Sequence, residues 1–269
     1  MAGGNPSPAL AERLTAAVNV GTGEAPVKAV DFIRIFKTDS KPAQLHCDDG
    51  HDYIVKDRLV NAHSPRVVVT EHIVGRLGAL LGAPTGTIAY VDVPADLINS
   101  QSELTHFTPG PTHGSRCVPN CTEREALVYT GEASNRLRFA LLALLYTWVG
   151  ADDHQFIYTK DTNTVYSVDH GHFFPGAPNW TASSLQLAAS TAITSLDPFF
   201  DACALTPPEL DRARQALDTI TVEQIEMAVA SPPEGWGFTI PDRIVVVDYL
   251  IKRRTEVLIV ADKRIQGVI

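Results

Sequence analysis

Long apolar runs, cysteine and positive charge are all scarce in this 269-residue chain, and each shortage closes off a class of protein. The most apolar stretch, residues 139–151, falls short of the roughly 20 residues that cross a bilayer. The opening residues 1–15 show no basic segment followed by an apolar one, so neither a membrane partner nor a secretion signal is expected. Cys47, Cys117, Cys121 and Cys203 are few and irregularly spaced, which excludes a disulfide framework and leads us to expect a reducing, cytoplasmic setting. Lys and Arg number 22 against 31 Asp and Glu, a formal charge of -9. A surface that neutralises many phosphates is therefore not expected, and nucleic acid is not expected as a partner. Any phosphate chemistry must use a local pocket.

What is present is ordinary globular composition, 45% hydrophobic and 20% charged, without repeats or low-complexity tracts. Residues 1–24 read as a loose tail and a short helix over 9–19. Three β-rich segments follow at 27–36, 43–47 and 52–55, with Cys47-Asp-Asp-Gly-His-Asp as a hairpin-like turn. Val69, Ile73, Leu77 and Leu80 or Leu81 recur at helical spacing and predict a helix over 65–81, stopped by Gly82-Ala-Pro84. A strand is expected over 87–93. The stretch 100–122, rich in Pro, Gly, His and Ser, reads as a loop joining two lobes. A strongly apolar helix over 135–149 precedes two short strands at 156–159 and 164–168, and helices are expected near 183–189, 207–217, 222–230 and 241–263. The expected organisation is an N-lobe over 25–98, a connecting loop over 99–122 and a helical C-lobe over 123–269.

Four segments carry charged groups in an order that phosphoryl transfer uses: a cation for nucleotide phosphates, a carboxylate that positions it, a carboxylate near the acceptor hydroxyl, and a metal ligand. Lys56 ends a strand, Glu71 lies on the next helix, Asp152 and Asp153 with His154 follow the apolar helix, and Asp169 closes a later strand. Each has a plainer reading. Lys56 fits a solvated strand end, Glu71 a helix-surface ion pair with Arg66 or Arg76, Asp152 a turn cap, and Asp169-His-Gly171 an ordinary exit from a strand. Asp49-Gly50 forms a turn whose N–H groups suit phosphate, although one glycine is a thin signal. His106, His113, Cys117 and Cys121 also suggest zinc, but their spacing fits no familiar ligand pattern.

Tyr53-Ile-Val-Lys56, Val60-Asn61, Glu71-His-Ile-Val-Gly-Arg-Leu, Leu81-Gly-Ala-Pro84, Trp148-Val-Gly-Ala-Asp-Asp-His154 and Ser167-Val-Asp-His-Gly171-His-Phe-Phe together resemble the landmarks of HipA-like kinases, over about residues 45 to 175. The resemblance implies an α+β, two-lobed protein-kinase-like fold, with a β-rich N-terminal lobe and a mainly α-helical C-terminal lobe, binding ATP and magnesium between them. It further implies that Lys56 contacts nucleotide phosphates, that Glu71 pairs with Lys56, that Asp152 orients an acceptor hydroxyl with His154 structuring its loop, and that Asp169 ligates magnesium. The family's asparagine metal ligand after Asp-x-His is missing here: the chain continues Gln155-Phe-Ile-Tyr. Either Gln155 supplies the amide oxygen or the second metal site is absent, and Asp153 stands as an alternative to Asp152 in the shortened loop. The expected activity is phosphoryl transfer from Mg-ATP to a hydroxyl of a protein or small-molecule acceptor. Alternatives are a catalytically silent binding module on the same scaffold, or an enzyme turned to another transfer in a biosynthetic pathway.

Overall fold

The computed structural model describes residues 8–38, 40–57, 66–123 and 126–269. The expected tail up to residue 7, Val60-Asn61 and Pro65 lie outside the described residues. Five strands, β1 (Val27–Ile35), β2 (Ala43–Cys47), β3 (Asp52–Lys56), β4 (Ile88–Val93) and β5 (Gly110–Arg116), close into a barrel in the order β1-β2-β3-β5-β4. Neighbours are antiparallel except at the closure, where β1 runs parallel to β4 with Val27 opposite Val91. Side-chain alternation sends Ala43, Leu45, Cys47, Tyr53, Val55 and Val91 inward, and Leu104 and Phe107 plug the end beyond β4.

The loop expected over 99–122 is therefore corrected in part: residues 110–116 form β5, seated between β3 and β4 with Val55 opposite Gly114 and Tyr90 opposite His113. Its sequence, Gly-Pro-Thr-His-Gly-Ser-Arg, has weak strand propensity, and closure overrides it. Gly114 is the reason that it fits, since a Cβ there would lie 2.4 Å from Cγ2 of Val91.

Helix α2 (Val67–Leu81) is almost wholly buried, packed between the barrel and the helical lobe. That lobe is centred on α4 (Ala133–Val149), whose Trp148 indole N–H donates to the Leu250 carbonyl at 2.8 Å. The acceptor lies on the long α9 (Ile240–Ile265), and Tyr249 of the same helix returns a hydrogen bond to the Val149 carbonyl at 3.1 Å. Helices α5 (Ala182–Ser190), α7 (Pro207–Asp218), α8 (Val222–Ala230) and α9 open on Thr181, Thr206, Thr221 and Thr239, each in a reciprocal capping box with the third residue of its helix. Apart from the N-terminal helix, the other α-helices and strands among the described residues are short: α3 (Ala95–Ser100), the hairpin of β6 (Phe156–Tyr158) with β7 (Val165–Ser167), and α6 (Phe199–Ala202). The N-terminal helix α1 (Pro8–Val20) packs on α8 and α9, where Arg13 grips Glu226 through two hydrogen bonds of 2.9 and 2.6 Å. No helix among the described residues is long and apolar enough to cross a membrane.

Two junctions hold α2 and the barrel to the helical lobe. Arg66 stacks over Trp180 at 4.0 Å and pairs with Asp242 at 2.9 Å, while the Trp180 indole donates to Thr70 of α2. On the other side, Tyr90 of β4 donates to the Ser231 carbonyl, and the Trp236 indole donates to the Pro111 carbonyl. His72 of α2 lies between the two aromatic rings, stacked on Tyr90 at 4.8 Å and edge-on to Trp236. Its Nδ1 faces Nδ1 of His113 at 3.2 Å, and the Nε2 atoms of both rings are buried without a hydrogen-bond partner.

Burial, and then the proximity of His113 and Arg76, pull the His72 pKa well below the usual imidazole value. Burial, reinforced by Lys56 and His170 against the opposing pull of Glu71, brings His113 down to about 4. An unfolded histidine titrates near 6.5. Between those values the unfolded chain binds more protons than the folded one, so stability rises with pH. The urea midpoint should accordingly hold steady above pH about 6.5 and fall as the pH drops towards 4, before most carboxylates titrate. A flat midpoint across that window would mean that these rings are already charged in the folded protein.

Candidate functional site

At the end of β3, Tyr53 and Val55 point into the barrel, and Lys56 is buried against α2. Its ammonium donates to Glu71 Oε2 at 2.8 Å and to Asp169 Oδ1 at 2.6 Å. The Lys56 and Glu71 side chains are 7% and 6% exposed, and that of Asp169 is 40% exposed. The second Glu71 oxygen accepts the backbone N–H of His170 at 3.0 Å. One cation and two carboxylates from three separate elements thus meet at the seam between barrel and helical lobe.

Burial alone would lower the Lys56 pKa, but the charges of Glu71 and Asp169 outweigh it and hold the ammonium above its ordinary value. For Glu71, burial pushes upward and Lys56, then His170 and His113, pull further down, so the carboxyl stays ionised below the usual range. A buried pair of this kind depends on both members, since removal of either strands the other charge in a dry site.

The loop that supplies Asp169 is shaped for the task. The β6–β7 ladder continues through the Val168 N–H to the Gln155 carbonyl at 3.0 Å, which sets Asp169 beside the loop carrying residues 150–155. Asp169 then adopts φ +62°, a left-handed conformation that Asp tolerates better than most residues. Two residues on, Gly171 passes so close to α2 that a Cβ would lie 2.5 Å from Cγ1 of Val67 and 3.2 Å from Glu71 Oε2.

Around residues 150–155 the two adjacent carboxylates separate. Asp153 accepts the Gln155 side-chain N–H at 2.7 Å and is half-buried, whereas Asp152 is exposed and borders a cavity of about 550 Å³. His154 stacks on Tyr146 with ring centroids 4.3 Å apart. The Tyr146 hydroxyl donates to Ser167 Oγ, which is hydrogen-bonded to His170 Nε2 at 2.9 Å. A chain of contacts therefore runs from Glu71 through His170, Ser167 and Tyr146 to His154.

Asp49 and Gly50 are not brought to this site. They occupy the β2–β3 turn, where Asp49 accepts from Tyr53 Oη and from the His51 N–H, and from Asp52 onward β3 runs about 13 Å to Lys56 at ~3.3 Å per residue. The β1–β2 loop lies at the Lys56 end instead, because Ala43 pairs with both Ile35 and Val55. Lys37, Thr38 and Lys41 of that loop border a second cavity of about 540 Å³. Sequence reasoning did not single out this loop, and it also missed Asp197, which stands in no motif and reaches His154 only through the fold. The zinc grouping does not assemble: His113 is buried against His72, and no group of three or more His, Cys, Asp or Glu among the described residues could hold a metal ion.

A closed five-stranded barrel, a buried helix carrying the partner of a strand lysine, and a helical lobe presenting acidic loops define a two-lobed kinase-like protein. The sequence profile of the HipA-like kinase family matches residues 32–179, more than half of the chain, and the chain belongs to that family. It is by family a kinase-like phosphotransferase, a class that in general uses a nucleotide and a metal. Among solved structures it is similar to the Helicobacter pylori proinflammatory kinase CtkA, at 10% identity and a TM-score of 0.55, covering 91% of this chain and 99% of that one. The Golgi casein kinase overlaps at 10% identity and a TM-score of 0.47, covering 97% of this chain and 78% of that one. The Shewanella oneidensis MR-1 HipA, solved with HipB and its operator DNA, overlaps at 14% identity and a TM-score of 0.36, covering 96% and 71%. No curated protein matches the chain significantly. The family and the kinase fold expected from the sequence are borne out.

Lys56→Met should cost about 3–5 kcal/mol at neutral pH, because it leaves Glu71 buried and unpaired. Lys56→Met combined with Glu71→Gln, which removes the stranded charge and keeps an acceptor for the His170 N–H, should recover a large part of that loss in urea unfolding; equal losses in the single and double variants would show that the pair is not coupled. Gly171→Ala should destabilise by about 1–3 kcal/mol, since Val67 is β-branched and cannot swing aside, and differential scanning calorimetry would register it.

Proposed function

We propose that this protein transfers the γ-phosphoryl group of ATP, with magnesium, to a hydroxyl of a protein or small-molecule acceptor. The observation that carries the reading is the Lys56 ammonium held between Glu71 and Asp169, carboxylates 15 and 113 residues away in sequence. Glu71 is spent on Lys56 and the His170 N–H, which keeps the ammonium pointed at the seam; the half-exposed Asp169 is the partner that phosphate oxygens can replace. The β1–β2 loop, with Lys37 and Lys41, is at the right end of the barrel to cover those phosphates.

For the metal, Asp169 is the residue that fits. Magnesium is commonly held by one or two carboxylates together with substrate phosphates and water, so the half-exposed Asp169 suffices. When bound, the ion would neutralise charge on the transferring group. Gln155 would have to ligate through its amide oxygen, and it is a weaker candidate because it is buried, its side-chain N–H held by Asp153. Asp152, exposed at the mouth of a cavity, is better placed than Asp153 to accept the proton of an acceptor hydroxyl. That oxygen bonds to the γ-phosphorus as the bond to the bridging oxygen of ADP breaks, giving a phosphomonoester and ADP.

A binding module without catalysis is the second reading, favoured because no group of three or more His, Cys, Asp or Glu among the described residues could hold a metal ion. Thermal denaturation with ATP separates the two, because a ligand of the folded state raises its midpoint. We expect a magnesium-dependent rise that Asp169→Asn abolishes, and a product heavier than its acceptor by about 80 Da. Asp152→Asn should keep the thermal shift and lower turnover by about 10²-fold or more. Nucleotide binding with no mass gain on any acceptor would assign the module reading.

A further inference from the structure

We propose that the cavity beside residues 150–155 is an acceptor site for a small hydroxyl-bearing amine with an apolar body; this rests on the phosphotransferase reading above. The cavity, about 550 Å³, falls in the size range of small-molecule sites. Leu127, Phe156 and Phe199 supply apolar walls, and its polar groups are Asp152, His154 and Asp197. No Lys or Arg is among the described residues that line it. Among these described lining residues the charge is carried by two carboxylates, which repel a carboxylate or phosphate and attract an ammonium.

Asp197 is the telling group. Its side chain is 9% exposed, and its backbone N–H is pinned to Thr147 Oγ1 at 2.8 Å. One carboxylate oxygen accepts the Phe199 N–H at 2.9 Å in an Asx turn that starts α6. The turn accounts for that oxygen alone. The other, Oδ2, faces His154 Nε2 at 3.4 Å without the geometry of a hydrogen bond. His154 cannot turn to improve it, since its ring is stacked on Tyr146 and edged by Phe199. Asp197 lines the cavity, where an ammonium can give Oδ2 a charge-assisted hydrogen bond that no neutral ligand group matches. With the ammonium at Asp197, the hydroxyl of the same molecule faces Asp152 at the mouth. There it loses its proton to that carboxylate as its oxygen bonds to the γ-phosphorus and ADP departs.

Calorimetric titration of the nucleotide-free full chain with three probes of one shape tests this: phenylalaninol, neutral 3-phenyl-1-propanol and anionic 3-phenyllactate. Phenylalaninol should bind about tenfold or more tightly than the neutral alcohol, as a charge-assisted hydrogen bond implies, and the acid should show no binding. Asp197→Asn, which keeps the oxygen used by the Asx turn, and Asp152→Asn, at the surface, should each erase most of the preference. Equal affinity for the three probes, tighter binding of the acid, or full preference in both variants would overturn the proposal. So would binding of an Arg-flanked serine peptide where phenylalaninol fails. Mass spectrometry with Mg-ATP separates the two levels. Phenylalaninol that binds and gains about 80 Da supports both. Phenylalaninol that binds without gaining mass leaves the amine site standing and removes the transfer reading. Phosphorylation of another alcohol without amine binding does the reverse.

Discussion

The buried ammonium of Lys56 is the contact on which the arrangement of this protein depends. A charge so deep is tolerable only with compensation close by, and the two carboxylates that provide it come from α2 and from the loop after β7. Three elements are thereby held to one point. The left-handed backbone at Asp169 and the missing side chain at Gly171 are the local adjustments that let the loop reach it. They have no role in the hairpin of β6 and β7 itself.

From that point order spreads in two directions. Towards the helical lobe, Glu71 holds the backbone of His170, whose ring bonds to Ser167, and Ser167 takes the Tyr146 hydroxyl that sits beneath His154. The loop bearing Asp152 is therefore propped from the same carboxylate that secures Lys56. Towards the barrel, α2 carries His72 into contact with His113, Tyr90 and Trp236, a polar and aromatic seam in which burial pulls both imidazole pKa values down. The Lys56 contact, the loop of residues 150–155 and the lobe junction share one helix, and a change in α2 would be felt at all three.

Much of this was legible in the residues. Helical spacing of Val69, Ile73 and Leu77 located α2, and the apolar run before Gly150 located α4. The threonines before α5, α7, α8 and α9 carry capping boxes that a sequence reader can find. Lys56, Glu71 and Asp169 were picked out in chain order and do meet. Asp49-Gly50 was picked out on turn chemistry, yet that turn lies at the other end of β3. A hairpin's sequence tells where the chain reverses and nothing about which end of the sheet faces the site.

Composition and periodicity by themselves determined an α+β chain with a strand-rich first part and a helical second part, and the order of charged residues suited phosphoryl transfer, which the family resemblance made kinase-like. Those properties are local, written within a few residues of where they act. Tertiary structure alone decided that 110–116 is a barrel strand, that the β1–β2 loop and not the β2–β3 turn stands by Lys56, and that Asp197 joins His154 at a cavity. Each of these depends on pairing between residues far apart in the chain. Barrel closure and helix packing settle such pairings through shape and burial, which no short window of sequence contains.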